Sequence, residues 1–324
     1  SGAYPPGSTF KMVVAAAALE LGLIGLNDKI FCAGFYELGS RKFHCWLKGG
    51  HGKLTLQEGI QKSCDVYFYE LARKVGVKRI GDMARRLGLG QAYDLPLTGL
   101  SKGFVPTKKW KKERFGTSWL VGDTLNVGIG QGFSLATPLQ LAVMTARLAS
   151  GKEVTPNIIK NPDKNVDNPK ALSIKENTLV AIRKGMFNVL NEKEGTAFNF
   201  RTTDKNFLIA GKTGTSQVRR ITREEREEGV IKNEDLPWKM RDHALFTCFA
   251  PYKNPRYALS VVVEHGGSGS KVAAPIARDI MLCQLYGGIP PVTAYPEKQQ
   301  FEVRNRLMDI EKKINSKTNI NTNI

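Results

Sequence analysis

The chain has 324 residues, 41% of them hydrophobic, and carries 48 lysines and arginines against 30 aspartates and glutamates, a net charge of +18. Such a length buries one large core or two small ones, and no run of 18 apolar residues is present to cross a membrane. The basic excess suits an acidic partner, but no nucleic-acid motif or aromatic-interleaved basic stripe accompanies it, and dispersed surface lysines account for it more simply.

Pro5-Pro6-Gly7 breaks the backbone, and Met12–Leu21 (MVVAAAALEL) is a run of good helix formers. Ser8 therefore falls at a helix start, with Lys11 one turn later on the same face. Unpaired N–H groups and the positive end of a helix stabilise an alkoxide or oxyanion there. A lysine held against an apolar helix loses hydration, so its pKa falls and its neutral amine can deprotonate a nearby hydroxyl. Taken alone, Ser-x-x-Lys is also read as an N-cap serine beside a snorkelling lysine.

A Gly- and aromatic-rich loop spans Cys32–His51, and helices are expected at Leu56–Val75, Lys78–Leu87 and Pro138–Ala149. The last has Thr137 as N-cap, Pro138 as first helical residue and Gly151 beyond its end. Asn157–Pro169 reads as a polar linker, followed by a helix near Ile174–Asn191. Strands are expected at Asn206–Gln217, His243–Ala250 and Tyr257–His265 from their β-branched and aromatic content. The highly charged Val218–Met240 between the first two reads as a long mobile excursion. A helix over Val272–Tyr286 follows Gly266–Ser270. Beyond residue 290 the chain turns polar, with a helix at Phe301–Ile314 and disordered final residues expected.

Two further motifs join Ser8–Lys11. Ser63-Cys64-Asp65 lies within the apolar-faced stretch Leu56–Leu71, and Lys212-Thr213-Gly214-Thr215 follows the strand-like Asn206–Ala210. The order Ser-x-x-Lys, Ser-x-Asp, Lys-Thr-Gly resembles the three-motif signature of penicillin-recognising serine acyltransferases. Tyr4–Gly7, Gly122–Ala142 (GDTLNVGIGQGFSLATPLQLA) and Arg241–Pro251 (RDHALFTCFAP) extend the resemblance to class B penicillin-binding proteins of the elongation-specific type, penicillin-binding protein 2, over roughly residues 1–290. The implied fold is α/β (α+β): an antiparallel sheet flanked by helices, plus an all-helical lobe. In that family an anchor helix, a pedestal domain and the first strands precede the serine motif. The resemblance therefore implies an N-terminally truncated transpeptidase domain over 1–290 with an open sheet edge, and a polar tail over 291–324.

The resemblance also implies D,D-transpeptidation of peptidoglycan stem peptides ending in D-Ala-D-Ala, with β-lactams as acylating mimics. Ser8 would be the nucleophile, Lys11 its general base and Ser63 a proton relay. Lys212 would supply positive potential and help lower the pKa of Lys11. Asp65, Lys212, Thr213, Gly214 and Thr215 would bind substrate, the two threonine hydroxyls holding its carboxylate and Gly214 leaving room for it along the strand. Backbone N–H groups of Ser8 and Thr215 would form the oxyanion hole. Asp65 stands where Asn is common, and an ionised carboxylate only accepts hydrogen bonds. No cofactor is required for this chemistry. No segment offers the deacylating glutamate of a class A β-lactamase; a penicillin-binding sensor or a non-catalytic scaffold are the other readings. Implied partners are a glycosyltransferase and elongation-machinery proteins, with no nucleic acid, at the periplasmic face of the inner membrane through an anchor outside this chain.

Cys32, Cys45, His51 and Cys64 fall within 33 residues around that Gly-rich loop. Three cysteines and a histidine are a closed structural zinc set, and the resemblance to penicillin-binding protein 2 implies a metal in this loop. A Cys32–Cys45 disulfide, with His51 capping the loop, is the alternative. Cys248 and Cys283 read as small buried hydrophobes, and His44, His243 and His265 as structural.

Overall fold

A computed structural model describes residues 2–159, 169–219, 221, 222, 225 and 229–321, with backbone alone from 311. Most of the expected polar linker and part of the charged excursion lie outside these residues. The excursion's described part contains short 3-10 turns at Asn233–Asp235 and Trp238–Met240.

A 3-10 turn at Gly7–Phe10 leads directly into α1 (Lys11–Glu20), whose residues Lys11–Ala18 are all buried. A helix apolar all round belongs in the middle of a core. Here α3 (Asp65–Val75), α4 (Val77–Arg86) and α8 (Glu176–Asn191) pack around it. Between α1 and α3 lie β1 (Ile30–Cys32) paired with β4 (Gly52–Leu54), and a hairpin of β2 (Phe35–Leu38) with β3 (Arg41–His44). The sequence read this segment as loop because each strand is only three or four residues long. Nor is Leu56–Val75 one helix. α2 ends at Gln61 and α3 starts at Asp65, because Ser63 takes φ 54°. The Cys64 sulfur accepts the Tyr67 N–H and caps the second segment. Two helices escaped sequence reading, α5 (Lys108–Phe115) and α6 (Val121–Gly128).

The main sheet is β5 (Ala210–Ser216), β6 (His243–Ala250) and β7 (Tyr257–Val263), antiparallel and in that order. α7 (Pro138–Ser150) and α9 (Ala274–Tyr286) pack on β6 and β7, and α8 packs on β5. β6 is buried from Ala244 to Ala250, so both faces of the sheet are covered. Strand β7 has no partner on its outer side among the described residues. Cys248 is buried, whereas Cys283 is exposed on α9, contrary to its reading as a core residue.

The polar tail is docked along its first part. Tyr295 and Val303 are buried with Leu282 of α9, and the buried Arg278 guanidinium lies 4.6 Å from the Tyr295 ring centroid. Few aliphatics are present beyond residue 290, but Ala294, Val303 and Leu307 gather with Tyr295 in one patch, while Phe301, Met308 and Ile310 stay exposed. The last helix, α10, runs over Glu297–Asn321, longer than expected.

The start of α7 couples the lobes. Thr137 and Gln140 form a capping box, and the buried Gln140 amide donates to the carbonyls of Gln91 at 2.8 Å and Lys102 at 2.9 Å. Gln140→Ala strips both acceptors and half the box. It should cost about 1–3 kcal/mol in urea unfolding with the m-value unchanged; stability equal to wild type would contradict this.

Candidate active site

Four of the sequence-predicted groups meet where α1, the α2–α3 break and β5 converge. The Lys11 amine, fully buried, donates to the Ser63 carbonyl at 2.7 Å, to Ser63 Oγ at 3.2 Å and to Asp65 Oδ1 at 2.8 Å. From the opposite side the Lys212 amine, also fully buried, donates to Ser63 Oγ at 2.8 Å. One hydroxyl thus lies between two lysines from different elements, α1 and β5, which is what a proton relay requires. Ser8 occupies the 3-10 turn just before Lys11 and is half-buried.

The two lysines differ. Lys11 has a carboxylate at its side, while Lys212 has only Ser63, its own neighbour's carbonyl (3.1 Å) and the Thr213 hydroxyl. Burial, and then the nearby Lys11 charge, pushes the Lys212 amine well below the ordinary lysine range, with Asp65 opposing.

Both Asp65 oxygens are committed within the protein: Oδ1 to Lys11, and Oδ2 to the Trp46 N–H at 2.9 Å. Asp65 thereby positions the lysine and leaves little for a substrate. The Trp46 indole also donates to the Lys62 carbonyl at 3.0 Å, so Trp46 holds the Ser63 turn from both ends. Thr213 is buried with its hydroxyl on Thr196 Oγ1 at 2.8 Å, while Thr215 stays half-buried. Gly214 serves a different end from the one expected. A Cβ there would meet Thr9 Cγ2 at 3.0 Å, Leu245 Cβ at 3.1 Å and the Pro6 carbonyl at 3.2 Å, so its missing side chain lets the serine turn approach β5 from within.

Sequence reasoning missed Trp46, Thr196 and Gln131, whose amide donates to the Thr215 carbonyl at 3.0 Å. Of these, Trp46 follows a candidate ligand and Gln131 lies within the family-like GIGQGF run; Thr196 carries no signal.

Cys32, Cys45, His51 and Cys64 do converge, their ligand atoms all within 4.8 Å of one another. His51 Nδ1 is 3.7 Å from Cys32 Sγ and 3.5 Å from Cys45 Sγ, and the Cys45 and Cys64 sulfurs are 4.0 Å apart. All five cysteines are free thiols, so the Cys32–Cys45 disulfide is not formed. The Cys64 S–H and then His51 lower the Cys45 thiol to about 3, against its burial. Donating that bond raises Cys64, and burial raises Cys32. His243, the first residue of β6 and paired with Ser216, accepts the His265 backbone N–H at 2.9 Å, the structural role expected of it.

A Ser-x-x-Lys turn, a Ser-x-Asp turn and a Lys-Thr-Gly strand converging on one hydroxyl define the class of penicillin-recognising serine acyltransferases. The comparisons agree. The chain belongs to the family described as penicillin binding protein transpeptidase domain, which matches residues 1–282. It is 36% identical to the peptidoglycan D,D-transpeptidase MrdA of Haemophilus influenzae over 91% of this chain and 46% of that protein. It is 33% identical to MrdA of Escherichia coli, over 84% of this chain and 44% of that one. The chain thus spans about half the length of the curated relatives it matches. Among solved structures, penicillin-binding protein PBP2 of Helicobacter pylori in complex with MreC superposes with a TM-score of 0.77 at 37% identity, covering 88% of this chain and 50% of that chain. Pseudomonas aeruginosa PBP2 in complex with WCK 5153 superposes at 0.76 and 36%, covering 91% and 65%.

The unfolded chain keeps the Lys212 proton up to the ordinary value of 10.5, and the folded chain gives it up at lower pH. Between those values the unfolded state binds more protons, so stability rises with pH across the window and falls as pH drops through the folded value. Urea unfolding of Lys212→Met between about pH 7 and pH 10 should show a shallower rise than wild type; identical slopes would place the depressed amine elsewhere.

Proposed function

We propose that the chain is the catalytic part of a peptidoglycan D,D-transpeptidase that cross-links stem peptides in lateral wall elongation through a Ser8 acyl-enzyme. The observation that carries this reading is the Ser63 hydroxyl held between the Lys11 and Lys212 amines, with Ser8 one turn ahead of Lys11.

Ser8 Oγ attacks the carbonyl carbon of the penultimate D-Ala, and its proton passes to the Lys11 amine. A base needs a lone pair that carries no proton, so the two amines share one ionising proton when substrate is bound; with Lys212 neutral, a proton shift through Ser63 Oγ from Lys11 to Lys212 frees Lys11. The oxyanion forms against the N–H groups of Ser8 and Thr215. Collapse breaks the C–N bond, and Ser63 passes its proton to the departing D-Ala amine while taking from Lys11 the proton that left Ser8. An amine from a neighbouring stem then attacks the ester carbonyl, giving up a proton to Lys11; the ester C–O bond breaks, Lys11 returns that proton to Ser8 Oγ, and the amide cross-link is formed. Thr215 is the hydroxyl placed to meet the substrate carboxylate, since Thr213 is committed to Thr196. β-Lactams acylate Ser8 by the same attack, with opening of the lactam C–N bond.

The MrdA relatives and the PBP2 neighbours support a role in elongation and cell shape at the periplasmic face of the inner membrane. The Helicobacter pylori complex supports a contact with an MreC-like protein, and a neighbour described as a peptidoglycan synthase complex that coordinates polymerization and crosslinking supports one with a polymerising enzyme. Among the described residues no helix is long and apolar enough to cross a membrane, so anchoring would belong to a segment outside them.

The Cys/His cluster fits a structural zinc. Tetrahedral zinc with bonds to sulfur of about 2.3 Å sets its ligands roughly 3.8 Å apart, close to the 3.5, 3.7 and 4.0 Å measured between these donors. Cys32, Cys45, Cys64 and His51 Nδ1 would hold it. Bound there, the ion would tie the small strands to the start of α3 and would supply no chemistry to the reaction.

Fluorescent penicillin should label the wild type and leave Ser8→Ala unlabelled; labelling that survives the substitution would refute the assignment of the nucleophile. Elemental analysis of purified protein should give about one zinc per chain, lost in Cys45→Ser. Metal-free wild type would end the zinc assignment and leave the acyl-transfer site standing.

A further inference from the structure

Three backbone segments meet edge to edge beside Ser8, closer than side chains would allow. Gly7, the residue before the serine, has φ 53°, and a Cβ on it would lie 2.5 Å from the Thr215 carbonyl oxygen and 3.2 Å from the Thr215 nitrogen. Gly130 has φ 71°, and a Cβ on it would lie 2.1 Å from the Gly7 carbonyl oxygen. The Gly7 N–H donates to the Gly130 carbonyl at 2.9 Å. Next to Gly130, the Gln131 side-chain amide reaches over and donates to the Thr215 carbonyl at 3.0 Å.

On an extended strand, the N–H and C=O of one residue leave the same edge. The Thr215 carbonyl faces Gly7 and Gln131, away from β6, so the Thr215 N–H faces that way too. The gap between the Ser8 turn and β5 is therefore set by loop 130–131. Gly130 grips the turn and Gln131 grips the strand. The loop is itself anchored to the helical lobe, since the Gln131 N–H donates to the Asn126 carbonyl at 2.9 Å and α6 packs on α3. A second tie runs alongside, where Tyr4 and Ala136 exchange backbone hydrogen bonds at 2.9 Å in both directions.

We infer that Gln131 is a positioning residue for acyl transfer: its amide fixes the Thr215 carbonyl, and so holds the Thr215 N–H at the separation from the Ser8 N–H that an oxyanion requires. The inference rests on the reading of Ser8 as nucleophile and of these two N–H groups as the oxyanion hole. Without the amide, β5 is free to drift outward at Thr215, and one donor falls short of the developing charge. Ground-state binding would be spared, because the oxyanion does not yet exist in the pre-covalent complex.

The test uses Gln131→Met, which keeps the length and loses the donor, followed by stopped-flow acylation with a fluorescent penicillin. The rate constant for acylation should fall roughly ten- to a hundredfold while the pre-covalent dissociation constant changes little. The infrared stretch of the acyl-enzyme ester carbonyl should move to higher wavenumber, reporting a less polarised bond. A variant that merely loosened the fold would lower the unfolding midpoint and leave that frequency in place. Should Gln131→Met not fold, Gln131→Glu carries the same measurements. Acylation and carbonyl frequency equal to wild type, in a protein whose wild type is acylated at Ser8, would overturn the role of Gln131 alone. Wild type that resists acylation would remove the underlying reading and this inference with it.

Discussion

A single buried hydroxyl shared by two lysines is the constraint around which this molecule is arranged. Burying two amines side by side is costly unless their protons are shared or one is given up. Ser63 supplies the shared acceptor, Asp65 partners Lys11, and Lys212 gives way. Each member comes from a different part of the fold: α1, the break between α2 and α3, and β5. Assembling the site therefore requires the helical lobe and the sheet to close on each other, and the fully buried α1 is the element around which they do.

The strain in the arrangement is local and well supported. Ser63 has φ 54°, a region that costs a residue with a Cβ about 1 kcal/mol or more. It is held from inside by Lys11, through its carbonyl and hydroxyl, and from outside by Trp46, through the Lys62 carbonyl and the Asp65 carboxylate. Trp46 follows Cys45, and Cys64 separates Ser63 from Asp65. The Cys/His cluster and the catalytic turn thus share one short stretch of backbone, and order in one supports order in the other.

The three motifs were legible because their residue types are few and their chain order is restrictive, and the strand positions of Lys212 and the His243–Ala250 run followed from local composition. Helix boundaries at α7 were legible for the same reason: Thr137, Pro138 and Gly151 are unambiguous signals. The break at Ser63 was not, since a serine in the left-handed region contradicts its propensity and arises only from tertiary hydrogen bonds. α5 (KKWKKERF) was hidden by its charge, with no apolar stripe to detect, and α6 by its two glycines. Gly214 was read as open space for a ligand because a glycine's neighbours cannot be seen in one dimension. The polar tail looked loose because Tyr295 and Val303, eight residues apart, find their partner on α9.

The most direct test of this account is an experimental structure of the protein after reaction with a β-lactam. The account predicts a covalent bond from Ser8 Oγ to the opened lactam carbonyl, its oxygen between the N–H groups of Ser8 and Thr215, with Ser63 Oγ still within hydrogen-bond reach of both lysine amines. An adduct on any other residue, or the side chains of Lys11 and Lys212 parted from Ser63, would contradict it.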